Sequence, residues 1–228
     1  MTGVQVGRLH IITDTVLQGY WTHAELAECA VEGGADVVQY REKRSLGTDE
    51  LQEEAVRIRQ VLPDTVPLII NDFIEVALAA GAEGVHLGKQ DDSPQEARRI
   101  LGLGALIGAT ANSLLEAREL FSAPVDYIGV GPVFGTRSKE IPAPVLGVSQ
   151  LAQIAKESPF PVIAIGGIQP RDVAVILRAG AHGIAVLSGA VCRSEPRVAI
   201  QDYRNALDQA LTEAGVPLRE HETPMEAE

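Results

Sequence analysis

Residues 67–73 read PLIINDF, an apolar run that stops at an amide and a carboxylate, Asn71 and Asp72. Leu68, Ile69 and Ile70 make a continuous branched stretch, the pattern of a strand covered on both faces, as in a parallel sheet. Similar short runs lie on either side of it. RLHIIT (8–13) and DVVQYR (36–41) precede it; GVHL (84–87), ALIGA (105–109), DYIGV (126–130), PVIAI (161–165) and GIAVL (183–187) follow. Amphipathic segments separate them, such as 48–62, where Leu51, Ala55, Ile58 and Leu62 recur at helical spacing. VEGGADVV, LAAGAEGV and LRAGAHGI echo one another, each ending a helix on glycine before a strand begins.

Strands alternating with helices from end to end predict an α/β fold, a single-domain (β/α)8 TIM barrel over residues 1–214. A doubly wound open sheet also alternates, but no GxGxxG follows the first strand. The acidic segment 215–228 has no apolar period and reads as a solvated tail.

The 228 residues are 46% hydrophobic and 22% charged, an ordinary globular composition with room for one large core. No apolar stretch is long enough to span a bilayer, the first residues lack a signal-peptide pattern, and two cysteines at no metal or redox spacing fit a reducing compartment. A cytoplasmic protein is expected. The net charge of −12 disfavours nucleic acid and anionic membranes as partners, though not a small anion met by locally clustered bases.

A barrel builds its site at the carboxyl ends of its strands, and the polar residues fall there. Asn71 and Asp72 end the third strand and Asp91 follows the fourth. Neighbouring strands lie roughly 5 Å apart, so the two carboxylates can converge on one ion, and such oxygen ligands suit magnesium. Arg41 and Lys43 alternate in phase after the second strand. Thr136, Ser138 and Lys139 lie in a Gly- and Pro-framed loop after the sixth, and IGGI and VLSGA end the seventh and eighth. Glycines there allow backbone N–H groups to approach an anion. Each feature has a plainer reading: Asp72 as a helix cap, Arg41 and Lys43 as surface pairs, IGG as a tight turn. Their shared face favours a site. His86 reads as a packed core residue. His10, His23, His182 and His221 read as exposed, and Arg98, Arg99, Arg171 and Arg178 as solvated helix faces.

The motifs VVQYREK, LIINDFIEVALAAGAEGVHLGKQD, DYIGVGPVFGTRSK and PVIAIGGI, in this order and spacing, resemble the thiamine-phosphate synthase and thiazole tautomerase family over nearly the whole chain. The resemblance implies a (β/α)8 barrel, a transferase, that couples a pyrimidine diphosphate, 4-amino-2-methyl-5-hydroxymethylpyrimidine diphosphate, to a thiazole phosphate. Thiamine phosphate and pyrophosphate would be the products. It implies Mg2+ on Asp72 and Asp91, with Arg41, Lys43 and Lys139 acting on the leaving group. Gln39, Tyr40, Glu42, Asn71 and Thr110 would join them around the pyrimidine diphosphate. Thr136, Arg137, Ser138, Gly167, Leu187 and Ser188 would hold the thiazole phosphate.

The chain departs from the family after the fifth strand, where GATANS places Thr110 at the usual serine and Asn112 at a usual histidine. A histidine there is tied to proton transfer in the tautomerases, so Asn112 counts against that alternative, although GIAVLSGAVCRSEP looks tautomerase-like. A non-catalytic sensor of a thiamine precursor would have no use for two metal carboxylates. A glycosidase using Asp72 and Asp91 conflicts with the surrounding bases and with only 4% aromatic residues for sugar stacking.

Overall fold

A computed structural model of the chain describes residues 5–136, 138 and 143–217. In chain order the elements are β1 (Leu9–Thr13), α1 (His23–Glu32), β2 (Val37–Tyr40), α2 (Thr48–Val61), β3 (Leu68–Asn71), α3 (Ile74–Ala80), β4 (Gly84–Leu87) and α4 (Pro94–Leu101). They continue as β5 (Leu106–Ala111), α5 (Leu114–Leu120), β6 (Tyr127–Val130), α6 (Gly147–Glu157), β7 (Val162–Ile165), α7 (Val173–Arg178), β8 (Gly183–Val186), α8 (Ser188–Val191) and α9 (Pro196–Glu213). The strands close into one parallel barrel in sequence order, β8 pairing with β1 through Leu9 and Ile184. The open-sheet alternative is thereby excluded. Val216, at the start of the predicted tail, still packs against the core, and residues 218–228 lie outside the described residues. No helix among the described residues is long and apolar enough to cross a membrane.

The two-sided burial read from LIIN follows from strand parity. Leu68 and Ile70 face the helices and join the large layer between barrel and helical ring. Ile69 faces inward, where with Val37, Leu106 and Val6 it plugs the amino-terminal end of the barrel. Ile12, Tyr127, Ile163 and Ala185 form a second interior layer above that plug. Register places Gln39 beside Ile69, Asn71 beside His86 and Thr110 beside Gly129, so one half of the upper interior is polar. Fully burying each branched side chain contributes about 1.5–3 kcal/mol, which makes a one-residue slip of any strand prohibitive.

The repeated GGAD, AGAE and AGAH segments have a common structural meaning. Gly34, Gly81 and Gly180 all take positive φ (87°, 63° and 93°) where the helix gives way to a strand. In the first two the acid that follows ties the preceding strand to an arginine, and Asp126, ahead of β6, does the same. Asp36 Oδ2 accepts from the N–H groups of Arg8 and Leu9, each at 2.9 Å, and pairs with Arg204 on α9. Glu83 accepts from Leu68 N–H at 2.7 Å and pairs with Arg59 on α2. Asp126 accepts from Ile107 N–H at 2.7 Å and pairs with Arg98 on α4 at 2.6 Å. Arg98 is therefore no solvated face. It also donates to the carbonyls of Gly102 and Ala105 and ties the amino-terminal end of the barrel together.

Candidate active site

At the carboxyl end of the barrel, β3 leaves its ladder at Asp72, whose φ of 73° lies in the left-handed region. Among non-glycine residues Asp and Asn tolerate this region best. Asp72 N–H donates to His86 O at 3.0 Å, which anchors the turn to β4. The residue does not cap α3: that helix starts after Phe73 and has no side-chain cap. The carboxylate is turned instead toward Lys43, with Nζ at 2.6 Å, and stands next to Asp91. Asp91 in turn accepts from Gly88 N–H at 2.6 Å. Partial desolvation, and then the neighbouring Asp72, hold the Asp91 carboxyl above its usual range. The Lys43 ammonium offsets part of this repulsion.

Among the described residues no group of three or more His, Cys, Asp or Glu side chains gathers as an all-protein metal cage. Two carboxylates beside an open mouth do fit magnesium, which keeps several waters and completes its shell with substrate phosphate oxygens. Zinc and calcium sites call for fuller protein donor sets.

Next to this acidic corner a cavity of about 150 Å³ runs down into the barrel. A void of that size accommodates a benzene-sized ring. Gln39, Arg41, Asn71, His86, Thr110 and Asn112 form its polar wall. Ile12, Ile163, Ile165, Ala185 and Leu187 form the apolar one. Arg41 is fixed by an ion pair with Asp14, a fully buried carboxylate at the end of β1.

On the far side of the cavity the β6–α6 loop lies across the end of β7, with Val133 N–H on Ile165 O at 2.8 Å and Phe134 N–H on Gly166 O at 3.0 Å. Gly167, at φ 65°, has room for no Cβ, which would meet the Gly135 carbonyl and the Phe134 side chain. This approach brings three hydroxyls together. Ser138 Oγ lies 3.1 Å from Ser188 Oγ, and Thr136 Oγ1 accepts from Ser138 N–H at 3.2 Å. A cluster of small hydroxyls beside glycine backbone can bind a phosphate.

Gln39, Arg41, Asn71, Thr110, Thr136, Ser138, Gly167, Leu187 and Ser188 thus all line one cavity, with Lys43, Asp72 and Asp91 at its rim. Arg137 and Lys139 lie outside the described residues. Tyr40 and Glu42 do not reach the cavity. Parity turns them toward the helices, where Tyr40 packs edge-on against His23 and Glu42 holds His23 and Arg44.

Nor are His10 and His23 exposed. His10 is buried inside the barrel, where its ring meets Tyr127. His23 is buried between Thr13 and Glu42, with Nδ1 2.7 Å from the Thr13 hydroxyl. His182 is half-buried, 3.0 Å from Val6 O; His221 lies outside the described residues. Desolvation lowers the pKa of all three described rings, most for His10, to about 4. Residues 10, 14 and 127 are parts of the site that no motif announces, although HIITD ends a strand in a carboxylate just as LIIND does.

Residues 9–190 match the family described as Thiamine monophosphate synthase. The chain is 45% identical to thiamine-phosphate synthase of Salinibacter ruber, over 92% of each sequence. It is 41% identical to that of Methanoculleus marisnigri, over 90% of this chain and 97% of the relative. Among solved structures, thiamine phosphate pyrophosphorylase from Pyrococcus furiosus superposes with a TM-score of 0.80 at 33% identity, covering 90% of this chain and 96% of that one. A 3-hexulose-6-phosphate synthase, at 15% identity and a TM-score of 0.63, shares the fold alone.

Proposed function

The chain belongs to the thiamine monophosphate synthase family, and we propose that it is itself a thiamine-phosphate synthase. It joins 4-amino-2-methyl-5-hydroxymethylpyrimidine diphosphate to a thiazole phosphate and releases pyrophosphate. The observation that carries this reading is the arrangement of two different polar groupings around one cavity. A carboxylate pair with a lysine stands on one side and a hydroxyl cluster on the other, with a ring-sized space between them.

Arg41 and Lys43 bind the diphosphate and orient it as leaving group, joined by Lys139. Asp72 and Asp91 would hold Mg2+, which would supply positive charge to stabilise the pyrophosphate leaving group. Gln39, Asn71 and Thr110 hold the pyrimidine, whose electron-rich ring can bear the methylene cation left behind. Thr136, Arg137, Ser138, Gly167, Leu187 and Ser188 hold the thiazole phosphate so that its ring nitrogen faces that carbon. Such a reaction needs no protein nucleophile. It needs a held acceptor, a stabilised leaving group and a wall against water, which Ile163, Ile165 and Leu187 supply.

The tautomerase alternative is disfavoured by Asn112. Its amide donates to Gly131 O at 2.5 Å and has no group that can carry a proton at this position.

Pyrophosphate release from both substrates and magnesium, with thiamine phosphate identified by mass, tests the reading. Asp72→Ala should abolish this turnover and leave thiazole phosphate binding within about twofold. Undiminished turnover in that variant removes the metal role, interconversion of thiazole isomers selects the tautomerase, and tight binding with neither activity selects a sensor.

A further inference from the structure

Inside the barrel, along the wall of the cavity, a line of polar groups runs from β2 by way of β6 and β4 to β5. The Gln39 side chain hydrogen bonds the Tyr127 hydroxyl. That hydroxyl lies 3.1 Å from His86 Nδ1, and His86 Nε2 lies 2.9 Å from Thr110 Oγ1. Two glycines clear the space: a Cβ at Gly108 would run into both the Tyr127 phenol and the His86 ring, and one at Gly129 would sit 2.9 Å from His86 Cε1.

The direction of the hydrogen bonds follows from counting protons. With its amide N–H turned toward the phenol, Gln39 donates to the Tyr127 oxygen and occupies it as acceptor. The single phenolic proton is then free for His86 Nδ1. A neutral imidazole that accepts at Nδ1 carries its proton on Nε2, and that proton goes to Thr110 Oγ1. Thr110 lines the cavity, and with its oxygen engaged behind, its own O–H points forward.

We propose that Tyr127 and His86 are positioning residues that set the Thr110 hydroxyl as a hydrogen-bond donor to an acceptor nitrogen of the substrate's pyrimidine ring. The proposal rests on the functional reading above and adds to it a specificity device. The relay also accounts for a threonine at this place: the hydroxyl does the work, and the imidazole behind it fixes the rotamer, so the additional methyl is held to one side.

A double-mutant cycle tests the relay, with dissociation constants measured for the pyrimidine diphosphate (with magnesium) and, separately, for the thiazole phosphate. Thr110→Val should weaken pyrimidine diphosphate binding by about ten- to a hundredfold and Thr110→Ser by less than about threefold. Tyr127→Phe, which removes the phenolic proton from Nδ1, should weaken it by about tenfold. The double variant should bind no worse than Thr110→Val alone, and thiazole phosphate affinity should stay unchanged throughout. Losses that multiply, or that fall equally on both ligands, overturn the relay. Histidine 15N spectra of the unaltered protein give a second reading that does not depend on any variant folding. His86 protonated on Nε2 supports the relay, and protonation on Nδ1 overturns it. If the unaltered protein fails to bind the pyrimidine diphosphate at all, the functional reading falls and the relay with it. Normal binding with multiplied losses removes the relay alone.

Discussion

Asp14 never meets solvent, yet it links a loop to the cavity wall. One carboxylate oxygen pairs with Arg41, and the other accepts from the N–H groups of Val16 and Leu17 at 2.8 and 2.9 Å. A buried carboxylate held by three donors is expensive to leave uncompensated, so Arg41 is kept in one orientation and not merely nearby. Asp14→Asn should therefore raise the KM for pyrimidine diphosphate about tenfold, equivalent to about 1.4 kcal/mol, and leave the KM for thiazole phosphate unchanged. Steady-state kinetics with each substrate varied in turn would show it; equal changes in both constants would mean that Asp14 only braces the fold. At this scale the sequence exposes some residues and conceals others for identifiable reasons. Arg41, Asn71 and Asp72 stand out because each is a polar group at the carboxyl end of an apolar strand, where a barrel opens. Tyr40 and Glu42 share the QYREK run with Arg41 and Lys43 but, one residue out of phase, point to the opposite side of the barrel wall. His10 and Tyr127 are concealed because an inward-facing polar residue low in a barrel looks, in the sequence, like any other alternation.

Among the elements, the strands were legible to within a residue or two, since branched runs of four to six residues have few other homes. The fifth ends later than expected, at Ala111 and not Ala109, and so carries Thr110 within the strand. The loop after the sixth strand was legible in its residues but not in its placement. Its position is dictated by contacts with β7 that no local pattern encodes: two backbone hydrogen bonds, and a glycine packed against the loop backbone. Gly167→Ala tests that dependence. The new Cβ collides with the Gly135 carbonyl, and φ 65° disfavours any side chain. Overpacking of this kind costs about 1–3 kcal/mol, some of which the loop can relieve by lifting away from β7. Lifting separates Thr136 and Ser138 from Ser188. Thermal unfolding should fall by several degrees, and the KM for thiazole phosphate should rise at least tenfold while that for pyrimidine diphosphate changes less than threefold. A variant with lowered thermal stability and unaltered kinetics would dissociate the loop's packing from phosphate binding.

In the whole molecule, the two ends of the barrel put their charges to different uses. The carboxyl end gathers polar groups around an open cavity. The amino end closes on itself, with Asp36, Glu83 and Asp126 each joining a strand start to a helix arginine. The echoing GGAD and AGAE segments carry that arrangement in the sequence, although only the closed barrel shows what the acids are for. His10 sits between the two ends. It is buried in the interior, with Nε2 3.1 Å from Gly7 O and its ring against Tyr127, and the charged groups facing it are Asp36 and His182. Desolvation lowers its pKa to about 4, against the opposing pull of Gly7 O and Asp36. In the unfolded chain the same imidazole titrates near 6.5, so between these values the unfolded state binds more protons than the folded one. Stability from this group is complete above pH 6.5 and is lost as the pH falls toward 4. Between pH 7 and pH 4.5 the loss amounts to about 2–3 kcal/mol. His10→Asn, with a neutral amide in place of the ring, should lower stability at pH 7 but remove that much of the acid dependence. Urea unfolding of both proteins at the two pH values measures the difference directly. Parallel losses in the two proteins would mean that the acid sensitivity of this barrel arises elsewhere, in the carboxylates that tie its amino end.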